Sequence, residues 1–150
     1  MLRVIRELIL VRPEGRGTDI GAALTFLAQV QRRRAVVFLL SDFCAGEFTA
    51  ALRVSGRRHD MVALAVTDPA ELDLPAGGLV RMEDAETGRE VVIDTGDEGV
   101  RRAYRRIALE AQAARNRDLR SVNVDVVEVQ THEPYAHLLY QLFRRRARRS

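Results

Sequence analysis

The apolar positions of this chain change period along its length. Leu2, Ile5, Leu8 and Ile9 recur at helical spacing until Pro13 and Gly15 interrupt them, which predicts a short amphipathic opening helix. After a loop from Arg12 to Gly17, Ile20, Ala23, Leu24, Leu27 and Ala28 follow the stripe of a second helix, with Thr18 expected as its N-cap. Arg32 to Arg34 separate that helix from Ala35 to Leu40, a continuous apolar and partly β-branched run; Met61 to Val66 is another. Such runs are expected of parallel strands covered by helices on both faces. Between them, Glu47 to Val54 reads as a short helix.

Pro69, Pro75, Gly77 and Gly78 mark a loop. Beyond it, Leu79 to Glu83 and Glu90 to Asp94 flank a turn containing Gly88, the pattern of a small β-hairpin. Val100, Ala103, Tyr104, Ile107, Ala108 and Ala111 define a long helix, and Val124, Val126, Val127 and Val129 a third parallel strand. Pro134 is expected to open a last helix with Tyr135, Leu138, Leu139, Leu142 and Phe143 on its inner face. The alternation predicts an α/β fold, a three-layer sandwich with a mostly parallel sheet and right-handed crossovers. Residues 1–150 are enough for one domain with a core of ordinary size, given a hydrophobic share of 47%.

Charge changes this picture little. The 24 basic residues are all arginine, yet 21 acidic residues leave a formal charge of only +3. Nucleic-acid binding needs clustered positive charge rather than a small excess. The best case is the terminal run Arg144, Arg145, Arg146, Arg148 and Arg149, expected as a solvated tail at a helix end that its cations suit. The single Cys44 forms no internal disulfide and fits a reducing compartment, so a cytoplasmic location is expected. No apolar run approaches the roughly 20 residues that span a bilayer.

Ligands of parallel α/β sheets bind outside the carboxyl ends of the strands. Ser41 and Asp42 end the first strand here, Thr67 and Asp68 the second, and Thr131, His132 and Glu133 the third, while Gly17, Thr18 and Asp19 enter a helix on the same rim. Several of these residues also have a plain structural reading. Thr18 can cap and Asp19 can complement the helix dipole; Asp68 precedes Pro69 in an Asp-Pro turn; His132 and Glu133 can simply precede a proline-initiated helix. Cys44 with His132 lacks the third, orienting group of a nucleophilic site, and free cysteines usually serve as small hydrophobes. His59 falls at the amino end of its strand, and His137 is expected on the outer flank of the last helix.

Together these segments resemble a known family. Gly17-Thr18-Asp19 entering a helix, the strand into Ser41-Asp42-Phe43, Arg57-Arg58-His59-Asp60 before a second strand, Thr67-Asp68-Pro69, Met82-Glu83-Asp84 with Thr87-Gly88, Val92-Ile93-Asp94-Thr95 and His132-Glu133-Pro134-Tyr135 are similar to the von Willebrand factor A-like region of the bacterial family called domain of unknown function 58. The resemblance implies a von Willebrand factor A-like, Rossmann-like fold and a metal-ion-dependent adhesion site. In that site an Asp-x-Ser-x-Ser loop, a Thr and an Asp hold Mg²⁺ or Mn²⁺, and a partner's carboxylate completes the shell. Thr18 and Asp42 match the Thr and the Asp, with Asp19, Ser41, Asp68, His132 and Glu133 on the surrounding partner-binding rim. The chain carries no Asp-x-Ser-x-Ser; Asp118-Leu119-Arg120-Ser121 has the wrong spacing and closes a helix.

The resemblance therefore implies a single partial domain, truncated at its N-terminus, that holds no metal stably. It also implies a partner, a MoxR-type AAA ATPase, and a role in assembly or maturation of other proteins. An edge strand as apolar as Val36 to Leu40 leaves amides unpaired beside aliphatic side chains, so homo-oligomerisation through the sheet edge or the opening helix is expected. Two other classes compete with the protein-binding module. One is a phosphate- or nucleotide-binding or hydrolytic enzyme using the helix N-terminus at Thr18, for which the sequence offers no Gly-rich loop with lysine. The other is an arginine-rich nucleic-acid-binding protein.

Overall fold

Helical and strand periodicities translate into five helices and five strands in the computed structural model, which describes residues 2–11, 17–44, 46–84, 87–122 and 124–148. The helices are α1 (Leu2–Leu10), α2 (Ile20–Val30), α3 (Thr49–Arg58), α4 (Glu98–Ser121) and α5 (Ala136–Ala147). The strands are β1 (Val36–Ser41), β2 (Asp60–Thr67), β3 (Leu79–Glu83), β4 (Glu90–Asp94) and β5 (Asp125–Gln130). Pro13, Gly15 and the rest of the expected loop at 12–16, together with Arg149, lie outside the described residues.

β1, β2 and β5 form a parallel sheet in that order, with Val37 opposite Met61 and Leu64 opposite Val127. β2 is central, and five consecutive residues from Met61 to Ala65 are buried, as a strand needs when it has neighbours on both sides and helices on both faces. Side chains alternate across the pleat. On one face Met61, Ala63 and Ala65 join Ile20 and Leu24 of α2, Leu52 of α3 and Leu119 of α4; on the other, Val62, Leu64 and Val127 pack on Leu142 of α5. The α/β class, the parallel sheet and the helices on both faces follow the expectation.

β3 and β4 form a separate antiparallel pair, Leu79 opposite Asp94, closed by a turn in which Gly88 takes a positive φ of 70°. Thr95, fully buried, ties the hairpin's base together: its hydroxyl donates to the Gly78 carbonyl at 2.9 Å and accepts the Gly77 N–H at 3.1 Å.

Three local expectations change. β1 lies at the sheet edge as expected, but instead of being covered on both faces its side chains alternate in exposure, so Val36, Phe38 and Leu40 face outward, with Phe143 beside Phe38, ring centroids 6.3 Å apart. The anticipated inner face of α4 is half exposed, at Ala103, Ile107 and Ala111, and none of it is fully buried; the helix's buried residue is Leu119, near its end. α5 starts at Ala136 rather than Pro134 and buries Leu142, with Leu138 and Leu139 partly covered, while Tyr135 and Phe143 stay exposed.

Candidate partner-binding rim

A tight turn ends β1. The Ser41 hydroxyl accepts the Phe43 N–H at 3.0 Å and donates to Asp42 Oδ1 at 3.3 Å, while the same Oδ1 accepts the Cys44 N–H at 3.0 Å. These short polar side chains fold the backbone back on itself. Phe43 sits there at φ 56°, the left-handed region that costs a bulky L-residue roughly 1–2 kcal/mol. Its ring is buried and packs on Phe48, centroids 5.2 Å apart, which holds the strained backbone in place.

Arg115 of α4 is the turn's second anchor. Its Nη1 donates to the Asp42 carbonyl at 2.8 Å and its Nη2 to the Thr67 hydroxyl at 3.1 Å, which links the carboxyl ends of β1 and β2. The sequence marks this residue only weakly, as an arginine following the small residues Ala111, Ala113 and Ala114 on a long helix.

The N-cap of α2 is Asp19, not Thr18: the Asp19 carboxylate accepts the Ala22 N–H at 2.7 Å. The carboxylate wins because it meets both the unpaired amides and the positive end of the helix dipole. Thr18 lies one residue outside and is exposed; with Asp19 and Glu47 it lines a concavity of about 300 Å³. Asp42 is not among the residues lining that concavity, its carboxylate being engaged in its own turn.

At the end of β2, Asp68 caps a 3-10 turn by accepting the Ala70 N–H at 2.9 Å. The Thr131 N–H donates to the Thr67 carbonyl at 3.2 Å and brings the end of β5 alongside, so that Asp68, Thr131 and His132 line a shallow concavity of about 470 Å³. His132 Nε2 lies 3.9 Å from Glu133 Oε1, and both side chains are exposed. The rim residues thus fall into three groups: Thr18 with Asp19, Ser41 with Asp42, and Asp68 with His132 and Glu133.

A cavity of about 920 Å³ lies beside the rim between the β1–α3 loop and α4. Cys44, Thr67, Gln112 and Arg115 line it. Cys44 and His132 line different concavities, so the structure does not bring them together as nucleophile and base.

The terminal arginines are only partly a solvated tail. Arg146 is partly buried against the amino-terminal edge of the sheet and reaches both Asp60 and Asp125. Burial works against its charge, but the hydrogen bond to Asp125 and the negative charges of Asp60 and Asp125 prevail and raise its pKa above the ordinary arginine value. Arg144, Arg145 and Arg148 are exposed, as expected.

Among the described residues no group of three or more His, Cys, Asp and Glu side chains is placed to hold a metal ion. Mg²⁺ demands near-octahedral oxygen coordination. Thr18 and Asp42, with Asp42 Oδ1 already accepting two hydrogen bonds, do not by themselves fit the ion that the adhesion-site resemblance implies.

A model of the family described as "Protein of unknown function DUF58" matches residues 1–114. Uncharacterized proteins of Mycobacterium tuberculosis and Mycobacterium bovis are each 31% identical over 122 residues, covering 79% of this chain and 38% of their own length. An uncharacterized protein of Mycobacterium avium is 31% identical over 122 residues, covering 79% of this chain and 70% of its own. The chain thus spans well under half the length of the first two relatives. No solved structure matches it.

Proposed function

This chain belongs to the family of unknown function DUF58, and from that membership we propose that it is a non-catalytic protein-binding module of von Willebrand factor A type. It serves as partner of a MoxR-type AAA ATPase in assembly or maturation of other proteins. The observation that carries this reading is the rim: polar side chains at the carboxyl ends of all three parallel strands, with Asp42, His132 and Glu133 exposed. Exposed charge on a rigid sheet edge is suited to steering and orienting a protein partner. The Ser41–Cys44 turn, locked by Phe43 and Arg115, presents its polar groups with little entropy left to lose on binding.

Thr18 and Asp42 remain half of an adhesion site, and the docking mechanism proposed for this chain uses the rim's own side chains. The phosphate-binding alternative finds the start of α2 occupied by the Asp19 carboxylate, which would repel a phosphate. The nucleic-acid alternative loses Arg146, whose charge is spent on Asp60 and Asp125. Among the described residues, no helix is long and apolar enough to cross a membrane. Self-association through the outward face of β1 or through α1, whose Leu2, Ile9 and Leu10 are exposed, belongs to the same reading.

The test is a binding titration of this chain against a purified MoxR-type ATPase from the same genome. The expected result is saturable association that Asp68→Lys combined with Glu133→Lys weakens by at least roughly tenfold. Association that ignores the rim substitutions, or none at all, overturns the reading.

A further inference from the structure

The partly buried arginines of this chain are treated in different ways. Arg146 is matched by two carboxylates, whereas Arg115 and Arg101 have no ion-pair partner among the described residues, and of these two Arg115 lines a cavity. The hydrogen bonds of Arg115 go to the Asp42 carbonyl, the Thr67 hydroxyl and, at 3.4 Å, the side-chain oxygen of Asn116. All three acceptors are uncharged. They fix the guanidinium and still leave a pair of its N–H donors unspent. A charge drawn partly out of water normally acquires a counter-charge, because desolvation penalises it otherwise.

The position of Arg115 says where that counter-charge enters. It lines the 920 Å³ cavity beside the rim, whose wall is apolar at Phe43, Phe48, Leu72 and Ala108. The carboxylates that also line this cavity, Glu47, Glu71 and Asp118, are exposed, whereas Arg115 is drawn inward. An anionic group is therefore favoured beside the partly buried Arg115 and cationic groups beside the exposed carboxylates at the mouth, on a carrier with some apolar surface.

We propose that this cavity binds a peptide segment bearing an acidic side chain flanked by basic ones, the carboxylate seated on Arg115 and the basic residues facing Glu47, Glu71 and Asp118. Arginine suits that role because its planar fork takes a carboxylate bidentately. This deepens the reading of the chain as a protein-binding module and rests on it for the choice of a peptide over a small molecule. No metal takes part, which separates this site from the Thr18 and Asp42 pair.

The experiment is calorimetric titration of the chain, in EDTA, with the blocked peptide acetyl-Lys-Glu-Lys-amide. Saturable binding is expected, with the Lys-Gln-Lys and Glu-Glu-Glu versions weaker by at least about tenfold, since they lack the charge-assisted bond or meet like charge at the mouth. Arg115→Gln should abolish binding. Because Arg115 also braces the Ser41–Cys44 turn, Ala111→Trp, which adds bulk to the cavity wall and leaves the arginine in place, should weaken binding too, with the melting curve kept cooperative.

Equal binding of the Glu and Gln peptides, full binding by Ala111→Trp, or a requirement for Mg²⁺ overturns the proposal. Free glutamate bound in preference to the peptide overturns the choice of a peptide. Peptide binding that persists when the ATPase fails to associate would sink the choice of partner and leave this site standing.

Discussion

Arg146 of α5 grips Asp60 at the start of β2 with two parallel bonds, Nη1 to Oδ2 at 2.9 Å and Nη2 to Oδ1 at 2.7 Å, while its Nε donates to Asp125 of β5 at 2.7 Å. One side chain thus fastens the last helix to two neighbouring strands. Removing it takes their shared cation from two carboxylates on adjacent strands. Arg146→Met is therefore expected to destabilise the fold by about 2–3 kcal/mol, below the value for a fully buried pair because water reaches part of the network. Arg146→Lys should cost about half as much, keeping the charge and losing the fork. Urea denaturation followed by circular dichroism reads both.

The pH dependence of this clamp follows from the raised pKa of Arg146. A folded pKa above the unfolded one contributes stability that is fully present below the unfolded value and is lost as pH rises through the folded value. For an arginine that window lies far into alkali. Titration of Arg146 should therefore leave the difference in stability between wild type and Arg146→Met unchanged from pH 6 to 9, as paired melts would show.

His59 is buried to 2% exposure, and neither ring nitrogen has a hydrogen-bond partner among the described residues. An unmatched buried polar group carries a desolvation penalty of about 1–3 kcal/mol that an apolar replacement does not. His59→Leu should thus leave stability unchanged or raise it by about 1 kcal/mol, measured as the urea midpoint at constant m-value. A loss of stability would show that the imidazole has a role the packing does not reveal.

Phe43 combines a buried ring with a left-handed backbone, so alanine and glycine at this position should reverse their usual order. Both lose the packing against Phe48, at about 3–5 kcal/mol. Glycine alone relieves the strain, and Phe43→Gly is expected to be more stable than Phe43→Ala by about 1 kcal/mol. Thermal unfolding of the pair distinguishes them, and an equal or inverted order would remove strain from the account of this turn.

β1 offers an unpaired edge beside Phe38 and Leu40, which are 43% and 65% exposed. Such an edge templates pairing with another chain, and a lysine on it blocks that. Wild-type chain is expected to self-associate with rising concentration in sedimentation equilibrium, and Phe38→Lys to shift the balance toward monomer by roughly tenfold or more in the dissociation constant. A wild-type monomer at every concentration tested would rule out the edge as an interface.

Periodicity alone located the helices and strands, because each is set by residues a few positions apart: the i, i+3, i+4 stripe of α2, the apolar run of β2, and the glycine turn between β3 and β4. The hairpin and the parallel character of the sheet were legible for the same local reason. The position of Asp42, Asp68 and His132 at the carboxyl ends of the strands was legible as well, since each follows within two or three residues of a strand's apolar run.

Tertiary structure alone settled which residues meet. That β1 turns Phe38 and Leu40 toward solvent, rather than being covered on both faces, depends on which helices pack against it, which no local pattern encodes. Arg146 looked like one more arginine in a charged tail until α5 folded back on the starts of β2 and β5. Nothing local marked Arg115 as a link between strand ends; α4 brings its guanidinium to the Asp42 carbonyl and the Thr67 hydroxyl. Short-range spacing specifies secondary structure and the polarity of each face, whereas the pairing of a charge depends on groups brought together from distant parts of the chain.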